Sequence, residues 1–349
     1  MWLIDVETRR LTEFLDLAVP PYAILSHTWV TGQEVTFQEI RCPADPDPTT
    51  PSKSRWEKID RTCRQAARDG LKYAWVDTCC IDKSSSAELS EAINSMFRWY
   101  KRAAVCYVFL LDLARFSWPG DAGELQASIK HCRWFSRSWT LQELIAPLHI
   151  KFYNRDWGFC FTKEMASEAL AQITGIHVDI LNHQIDLSAV PVAQKMSWAA
   201  TRQSTRIEDV AYSLVGIFGI HMPLLYGEEE RAFLRLQAEI ISLYPDPTIL
   251  AWMLRLEPSE NNSKDTEDSY IGVMASSPLP FQDCAKVKSL SNQPLFDFSM
   301  SNRGIQLRAQ FELLTLRKAR GFCLVLPVCQ IRDKPFGIQL RSLSKVYFT

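Results

Sequence analysis

The sequence predicts an α/β protein whose first half forms a parallel sheet covered by helices on both faces. Three observations lead to this prediction. Short apolar segments alternate with segments of helical period, and the connections between them are short. The segment AVCYVFLLD (104–112) is almost entirely apolar, as expected for a strand that is buried on both faces.

The predicted elements follow one another through the first 154 residues. The first strand is Tyr22–Leu25, and it runs into the polar sequence Ser-His-Thr-Trp. A helix then opens at a capping box formed by Ser54 and Glu57, and Gly70 suits the position after its end. The later elements are a strand at 71–77, a helix capped by Ser85 and Glu88, strands at 104–112 and 149–154, and a short helix in SRSWTLQEL (136–144) with Ser138 as its N-cap.

The predicted secondary structure changes twice along the rest of the chain, and this predicts three domains. Residues 1–158 form the α/β core, and residues 159–245 have helical periods throughout. After the break YPDPT (244–248), residues 246–349 read as a β-rich module. Its predicted strands are ILAWML (249–254), SYIGVMA (269–275), FDFSMSNRGIQLRAQF (296–311), GFCLVLPV (321–328) and FGIQLRSL (336–343).

Composition argues against several classes of protein. The 349 residues carry a formal net charge of −1, which gives no general attraction to nucleic acid or to an anionic membrane. The first ten residues mix acids and bases and do not form a secretory signal, and the longest apolar run (214–227) is too short to span a bilayer. The ten cysteines form no CxxC pair, so we predict no metal site and a reducing, cytoplasmic location.

The candidate site residues lie where the predicted strands end. Ligands of open parallel sheets bind beyond the carboxyl ends of the strands. The first strand is followed by Ser26, His27 and Trp29, and the second by Asp77, Cys80 and Asp82. Each has a structural alternative: the serine as a turn residue, the histidine as a packing residue, the aspartates as loop caps and the cysteine as a buried thiol.

Glu143 is the candidate acid that the sequence favours most. It lies four residues after Trp139 in the short helix, so the carboxyl group and the indole share one helix face. Such an acid is partly desolvated, as catalytic carboxyl groups often are. The alternative is that Trp139 simply anchors the helix, and this is our interpretation of the tryptophan. The chain contains no GxGxxG, GxxxxGK[ST], HExxH or GxSxG motif.

Six stretches of the chain form a recognisable series: YAILSHTW (22–29), EVTF (34–37), YAWVDTCCIDK (73–83), EAINSMFRWYKRA (91–103), SRSWTLQELIAP (136–147) and TRIEDVAYSLVGIF (205–218). In this order they resemble the fungal heterokaryon incompatibility (HET) domain family. Two small departures are Val30, where glycine is common in the family, and Lys83, where glutamine is common. The resemblance implies a cytosolic effector of non-self recognition that triggers programmed cell death.

HET domains are in turn distantly similar to TIR domains. These have a flavodoxin-like parallel sheet and a W-x-x-x-E pattern, which Trp139 and Glu143 match. In catalytic TIR domains that glutamate supports cleavage of NAD at the nicotinamide–ribose bond. The similarity implies that Glu143 is catalytic and that NAD is a substrate rather than a cofactor. The residues implied in binding it are Ser26, His27, Trp29, Asp77, Cys80, Asp82 and Trp139.

Three functions therefore stay open. The leading hypothesis is an NAD+ nucleosidase, a hydrolase of the N-glycosidic bond, that acts in fungal innate immunity. The second is a non-enzymatic adaptor that associates with itself, or with other HET or NLR-type proteins, and recruits a death pathway. The third is a hydrolase with a Cys80–His27 dyad. If the chain is an enzyme, we expect Glu143, Ser26, His27, Asp77 and Asp82 to converge on one concave pocket.

Overall fold

The computed structural model of the chain describes residues 1–15, 18–42, 52–118, 120–253 and 274–288, and the backbone of five strands between 297 and 340. The strands are β1 (Trp2–Asp5), β2 (Leu11–Glu13), β3 (Tyr22–His27), β4 (Tyr73–Trp75), β5 (Val105–Phe109), β6 (Ile150–Tyr153), β7 (Phe159–Thr162), β8 (Asp297–Ser301), β9 (Gly304–Arg308), β10 (Glu312–Thr315), β11 (Phe322–Ile331) and β12 (Lys334–Leu340). The α-helices are α1 (Phe37–Arg41), α2 (Ser52–Arg68), α3 (Ser86–Arg102), α4 (Ala122–Ile129), α5 (Arg133–Ser136), α6 (Thr140–Ile145), α7 (Ser167–Thr174), α8 (Val178–Leu181), α9 (Val192–Ser197), α10 (Asp209–Tyr212) and α11 (Arg231–Leu243). Short 3₁₀ helices lie at Leu187–Ala189, Pro247–Met253 and Leu279–Lys286.

The chain divides into two compact units. The first consists of residues 1–187 and 202–225, and the second of residues 188–201 and 226–349. The division into three domains at 158 and 245 stays a prediction. None of the helices in the described ranges combines the length and the apolar character needed to cross a bilayer.

The first unit is built on a mixed seven-stranded sheet with the order β2-β1-β4-β3-β5-β6-β7. The four central strands, β4, β3, β5 and β6, are parallel, and the outer pairings are antiparallel. The predicted α/β class is confirmed. In chain order the parallel strands are arranged 2-1-3-4, an order shared by flavodoxin-like sheets, and it places the topological switch point between β3 and β5.

Local sequence explains several of these elements. Every residue of β3 and β5 is buried, as expected for central strands covered on both faces. After α2 ends, Gly70 adopts φ = +76°, a conformation that favours glycine. At the start of α3, the Ser85 side chain accepts a hydrogen bond from the Glu88 amide, as predicted. The Glu88 carboxylate accepts from the Asp82 amide, so only half of the predicted capping box forms.

Two predicted elements are wrong, and in both a contact outside the element itself decides the structure. The sequence predicts helix throughout residues 159–245, but β7 lies at their start and pairs antiparallel with β6. The predicted strand at 249–254 is replaced by the 3₁₀ helix Pro247–Met253. Just before this helix, Asp246 accepts hydrogen bonds from the amides of Thr248 (2.9 Å) and Val192 (2.7 Å), which fixes a turned backbone.

The second unit contains two small antiparallel sheets in its later part. β8 pairs with β9, and β11 lies between β10 and β12. These strands overlap three of the five predicted for residues 246–349. The predicted strand at 269–275 lies largely outside the described residues, and the β-rich module as a whole stays a prediction.

Candidate functional site

Glu143 lies in a buried group of four side chains, which we call the Glu143 cluster: Ser26, Tyr100, Trp134 and Glu143. The Ser26 hydroxyl donates a short hydrogen bond to the Glu143 carboxyl group and accepts one from Trp134 Nε1 (2.7 Å). The Tyr100 hydroxyl donates to the Leu25 carbonyl (2.9 Å) and is also within hydrogen-bonding reach of Glu143. The predicted acid and the predicted serine are therefore brought together, at the carboxyl end of β3.

Burial dominates the electrostatics of this cluster. The Glu143 residue is only 6% exposed, and desolvation raises the pKa of its carboxyl group to about 8. The hydrogen bond from Ser26 and the polar hydroxyl of Tyr100 nearby lower the pKa, while the negative charge of Asp77 raises it further. In this conformation Glu143 is protonated at neutral pH.

Glu143 belongs to helix α6, and because every residue of this helix is buried, the position of Glu143 is fixed by packing. It begins at Thr140, whose hydroxyl contacts the carbonyls of Trp134 and Arg137. The prediction of Ser138 as N-cap is wrong: the N-cap residue is Trp139, and its side chain makes no capping bond. Trp139 is only partly buried, whereas Trp134 is fully buried and contacts the partner of Glu143.

A second group of polar side chains surrounds His27, and we call His27, Trp29, Lys58 and Asp77 the His27 cluster. His27 Nε2 lies 3.1 Å from Asp77 Oδ1, and Trp29 Nε1 donates to Asp77 Oδ2 (2.9 Å). Lys58 Nζ lies 3.2 Å from His27 Nδ1, and because an ammonium group only donates, the imidazole proton is assigned to Nε2. Burial favours the neutral form of Asp77, but the hydrogen bonds from His27 and Trp29 and the positive charge of Lys83 outweigh it and lower the pKa of Asp77.

The two clusters lie on opposite faces of the sheet. Ser26 and His27 are consecutive residues of β3, and consecutive strand residues point to opposite faces. Ser26 meets α5 and α6 on one face through Trp134 and Glu143, while His27 meets Lys58 of α2 on the other. The strand therefore separates Ser26 and Glu143 from His27, and the single pocket expected for Glu143, Ser26, His27, Asp77 and Asp82 stays a prediction.

The remaining candidates make other contacts. Asp82 accepts a hydrogen bond from Gln38 Nε2 (2.8 Å) and caps the turn at Ser84. Cys80 is buried, and its sulfur accepts from the Val76 amide (3.4 Å). Since Lys58 and Asp77 occupy both ring nitrogens of His27, no Cys80–His27 dyad is formed. Within the described residues, no three His, Cys, Asp or Glu side chains are grouped to hold a metal ion.

Trp29 is the exposed member of the His27 cluster. Its residue is 43% exposed, and Lys83 Nζ lies 3.8 Å above its ring centroid, a cation–π contact. Lys83 therefore places a positive charge on the aromatic surface beside Asp77.

Sequence reasoning missed three residues that shape the surroundings of Glu143. Tyr100 lies in α3, and nothing in the sequence distinguishes its hydroxyl as a neighbour of Glu143. Trp134 lies two residues before the segment 136–144, in which Trp139 is the predicted aromatic neighbour of Glu143. Arg202 is buried and donates to the Arg137 carbonyl (2.9 Å) and the Thr140 hydroxyl (3.0 Å), and burial lowers its pKa to about 10. No local pattern connects it with α6.

The fold and the two clusters define an α/β protein with a buried acid at the carboxyl edge of its central parallel strands. Residues 22–118 match the family model described as heterokaryon incompatibility protein (HET). Over 225 residues the chain is 45% identical to the vegetative incompatibility protein HET-E-1 of Podospora anserina. That match covers 64% of this chain and 16% of the relative. These two matches support a HET domain in this chain. No solved structure matches it.

Proposed function

We propose that this chain acts in heterokaryon incompatibility as an effector of programmed cell death, and that it does so by cleaving NAD at the nicotinamide–ribose bond. The first part is supported by the HET family match and by the 45% identity to a vegetative incompatibility protein. The second part is supported by the similarity of the Trp139–Glu143 pattern to TIR domains.

One observation carries the enzymatic part: the Glu143 carboxyl group is hydrogen-bonded to Ser26 at the carboxyl end of β3, beside the switch point of the sheet. Cleavage of the glycosidic bond passes through an oxocarbenium-like transition state, which a nearby carboxylate stabilises. Nicotinamide leaves as a neutral pyridine, so one carboxylate suffices and no general acid is needed.

The buried state of Glu143 sets a condition on this chemistry. A protonated acid cannot stabilise a positive charge, so catalysis requires that water or substrate reach Glu143 and lower its pKa. We propose that assembly of several chains moves α5 or α6 and opens the cluster. The isolated chain is then inactive, and assembled chains release nicotinamide.

The test compares the isolated chain with the same chain fused to an oligomerising domain. We expect the fused protein to release nicotinamide from NAD, and Glu143→Gln to lower that rate at least a hundredfold while leaving the fold intact. Glu124→Gln is the matched control, since Glu124 is an exposed acid in the first turn of α4. Equal activity of Glu143→Gln and the unmodified fusion would show that Glu143 is not the catalytic acid.

The burial of Glu143 also favours a second candidate, the non-enzymatic adaptor. A neutral carboxyl group that contacts Ser26 and Tyr100 can stabilise the fold without taking part in a reaction. In that case the Glu143→Gln fusion still kills fungal cells while NAD levels stay constant. Loss of killing together with loss of NAD cleavage favours the enzyme.

A further inference from the structure

A cavity of about 710 Å³ opens between α2 and the turn that joins β6 to β7. Its lining includes two tryptophans, Trp56 and Trp157, and three arginines, Arg61, Arg64 and Arg68. Helix α2 packs on the sheet face that carries His27, since its Lys58 contacts that residue. The cavity is therefore separate from the Glu143 cluster, and its volume falls in the range of small-molecule sites.

Trp157 forms a rigid wall of this cavity. It adopts φ = +63°, which is an outlier for a bulky residue and marks a position held by its surroundings. Its ring stacks on Tyr153, with centroids 5.2 Å apart and an interplanar angle of 18°. The turn is fixed by Asn154 Oδ1, which accepts hydrogen bonds from the amides of Asp156 (3.1 Å) and Gly158 (2.8 Å). The indole is thus presented in one orientation.

The arginines recur along α2 at positions i, i+3 and i+7, so they lie along one side of the helix. Arg61 is occupied: it donates to Glu57 (2.9 Å from Nε) and to the Asp156 carbonyl (2.5 Å). At the other end of the cavity, the arginines are less engaged by acidic side chains. Arg68 forms no salt bridge with the described residues, and the Arg64 side chain is 67% exposed.

The lining also contains three acidic residues, Glu57, Asp60 and Asp156, but with Arg9, which pairs with Asp60, the arginines outnumber them by four to three. Glu57 is paired with Arg61, and Asp60 is paired with both Arg64 (2.7 Å) and Arg9 (2.8 Å). Because Arg9 also neutralises Asp60, the charge of Arg64 is only partly cancelled. Donor groups of Arg64 and Arg68 are left available to an anion at the end of the cavity away from Trp56.

We propose that this cavity binds a nucleoside diphosphate. The base packs against Trp157 and Trp56, where aromatic rings stack favourably. The diphosphate receives charge-assisted hydrogen bonds from Arg64 and Arg68. Trp56 and Arg68 are separated by about 18 Å of helix at 1.5 Å per residue, which accommodates an extended nucleotide. The site is independent of NAD cleavage at Glu143.

The test is calorimetric titration of the full chain with ADP. We expect saturable binding, and we expect adenosine and inorganic pyrophosphate each to bind at least about tenfold more weakly, because each offers only half of the contacts. This comparison of three ligands uses the unmodified chain only. Absence of saturation by ADP at millimolar concentration, or pyrophosphate binding as tight as that of ADP, would overturn the proposal.

Arg64→Ala combined with Arg68→Ala should weaken ADP binding about tenfold or more. Both side chains are exposed on α2, so we expect the fold to be kept, and circular dichroism checks this. Arg231→Ala is the matched control, an exposed arginine at the start of α11. ADP affinity that is unchanged in the double variant, or that falls equally in the control, contradicts the assignment.

Discussion

At the scale of single residues, the ionisation of Glu143 makes a prediction about stability. Its pKa is about 8 in the folded chain, against an ordinary value of 4.5. Between these values the folded state holds the proton and the unfolded state does not. The contribution of Glu143 to stability therefore falls as the pH rises through this window, by at most about 1.4 kcal/mol per pH unit.

Glu143→Gln should remove this dependence because an amide does not ionise. We expect the variant to be more stable than the unmodified chain at pH 8, and the gap to close towards pH 5. Urea unfolding of both proteins at the two pH values measures it, and the exposed Glu124→Gln is the control. A gap that is the same at both pH values would mean that Glu143 ionises normally.

Ser26 joins two buried groups, so its loss should be costly. In Ser26→Ala the Trp134 indole loses its acceptor and the Glu143 carboxyl group loses its donor. We expect a loss of about 1–3 kcal/mol in the free energy of unfolding and a further rise in the Glu143 pKa. Ser128→Ala, at an exposed position of α4, should cost well under 1 kcal/mol. Equal costs for the two changes would argue against the cluster.

At the scale of helices and loops, Gly216 allows the segment after α10 to approach α3. A Cβ atom at this position would lie 2.2 Å from Phe97 Cβ and 2.9 Å from Phe97 Cγ. Gly216→Ala should therefore force the two segments apart and destabilise the chain by about 3 kcal/mol or more. Gly123→Ala in α4 is the control, with only the Asp121 side chain near, at 3.2 Å. Thermal unfolding compares the two variants.

The same scale shows what could be predicted from sequence. The central strands and the Ser85 cap depend on local apolar runs and side chains a few residues apart, so their prediction succeeded. The strand β7 depends on its pairing with β6, which local periodicity does not contain. The contact between Ser26 and Glu143 joins positions 117 apart. The strand-end rule selects Ser26, and the spacing from Trp139 in a short helix selects Glu143. The local sequence does not indicate that β3 extends through His27. This extension places Ser26 and His27, and so the two clusters, on opposite faces of the sheet.

At the scale of the whole chain, residues 202–225 complete the first unit although they follow a segment of the second. Gln203 pairs by backbone hydrogen bonds with Ser136 (2.6 Å) and Ser138 (2.9 Å), immediately before α6. The Asn94 side chain on α3 accepts from the Met222 amide (3.1 Å). The surroundings of Glu143 therefore depend on a part of the chain far beyond the predicted boundary at 158.

This arrangement predicts different stabilities for two fragments. Fragment 1–225 keeps the contacts of the first unit, whereas fragment 1–201 loses Tyr212, Leu214 and Phe218, all fully buried. Each such side chain contributes about 1.5–3 kcal/mol, so the shorter fragment should unfold more than about 10 °C lower. Calorimetry measures this difference, and limited proteolysis should cut the shorter fragment within α5 or α6 first. Equal melting temperatures would show that Glu143 is held without residues 202–225, and that α6 is fixed by the sheet alone.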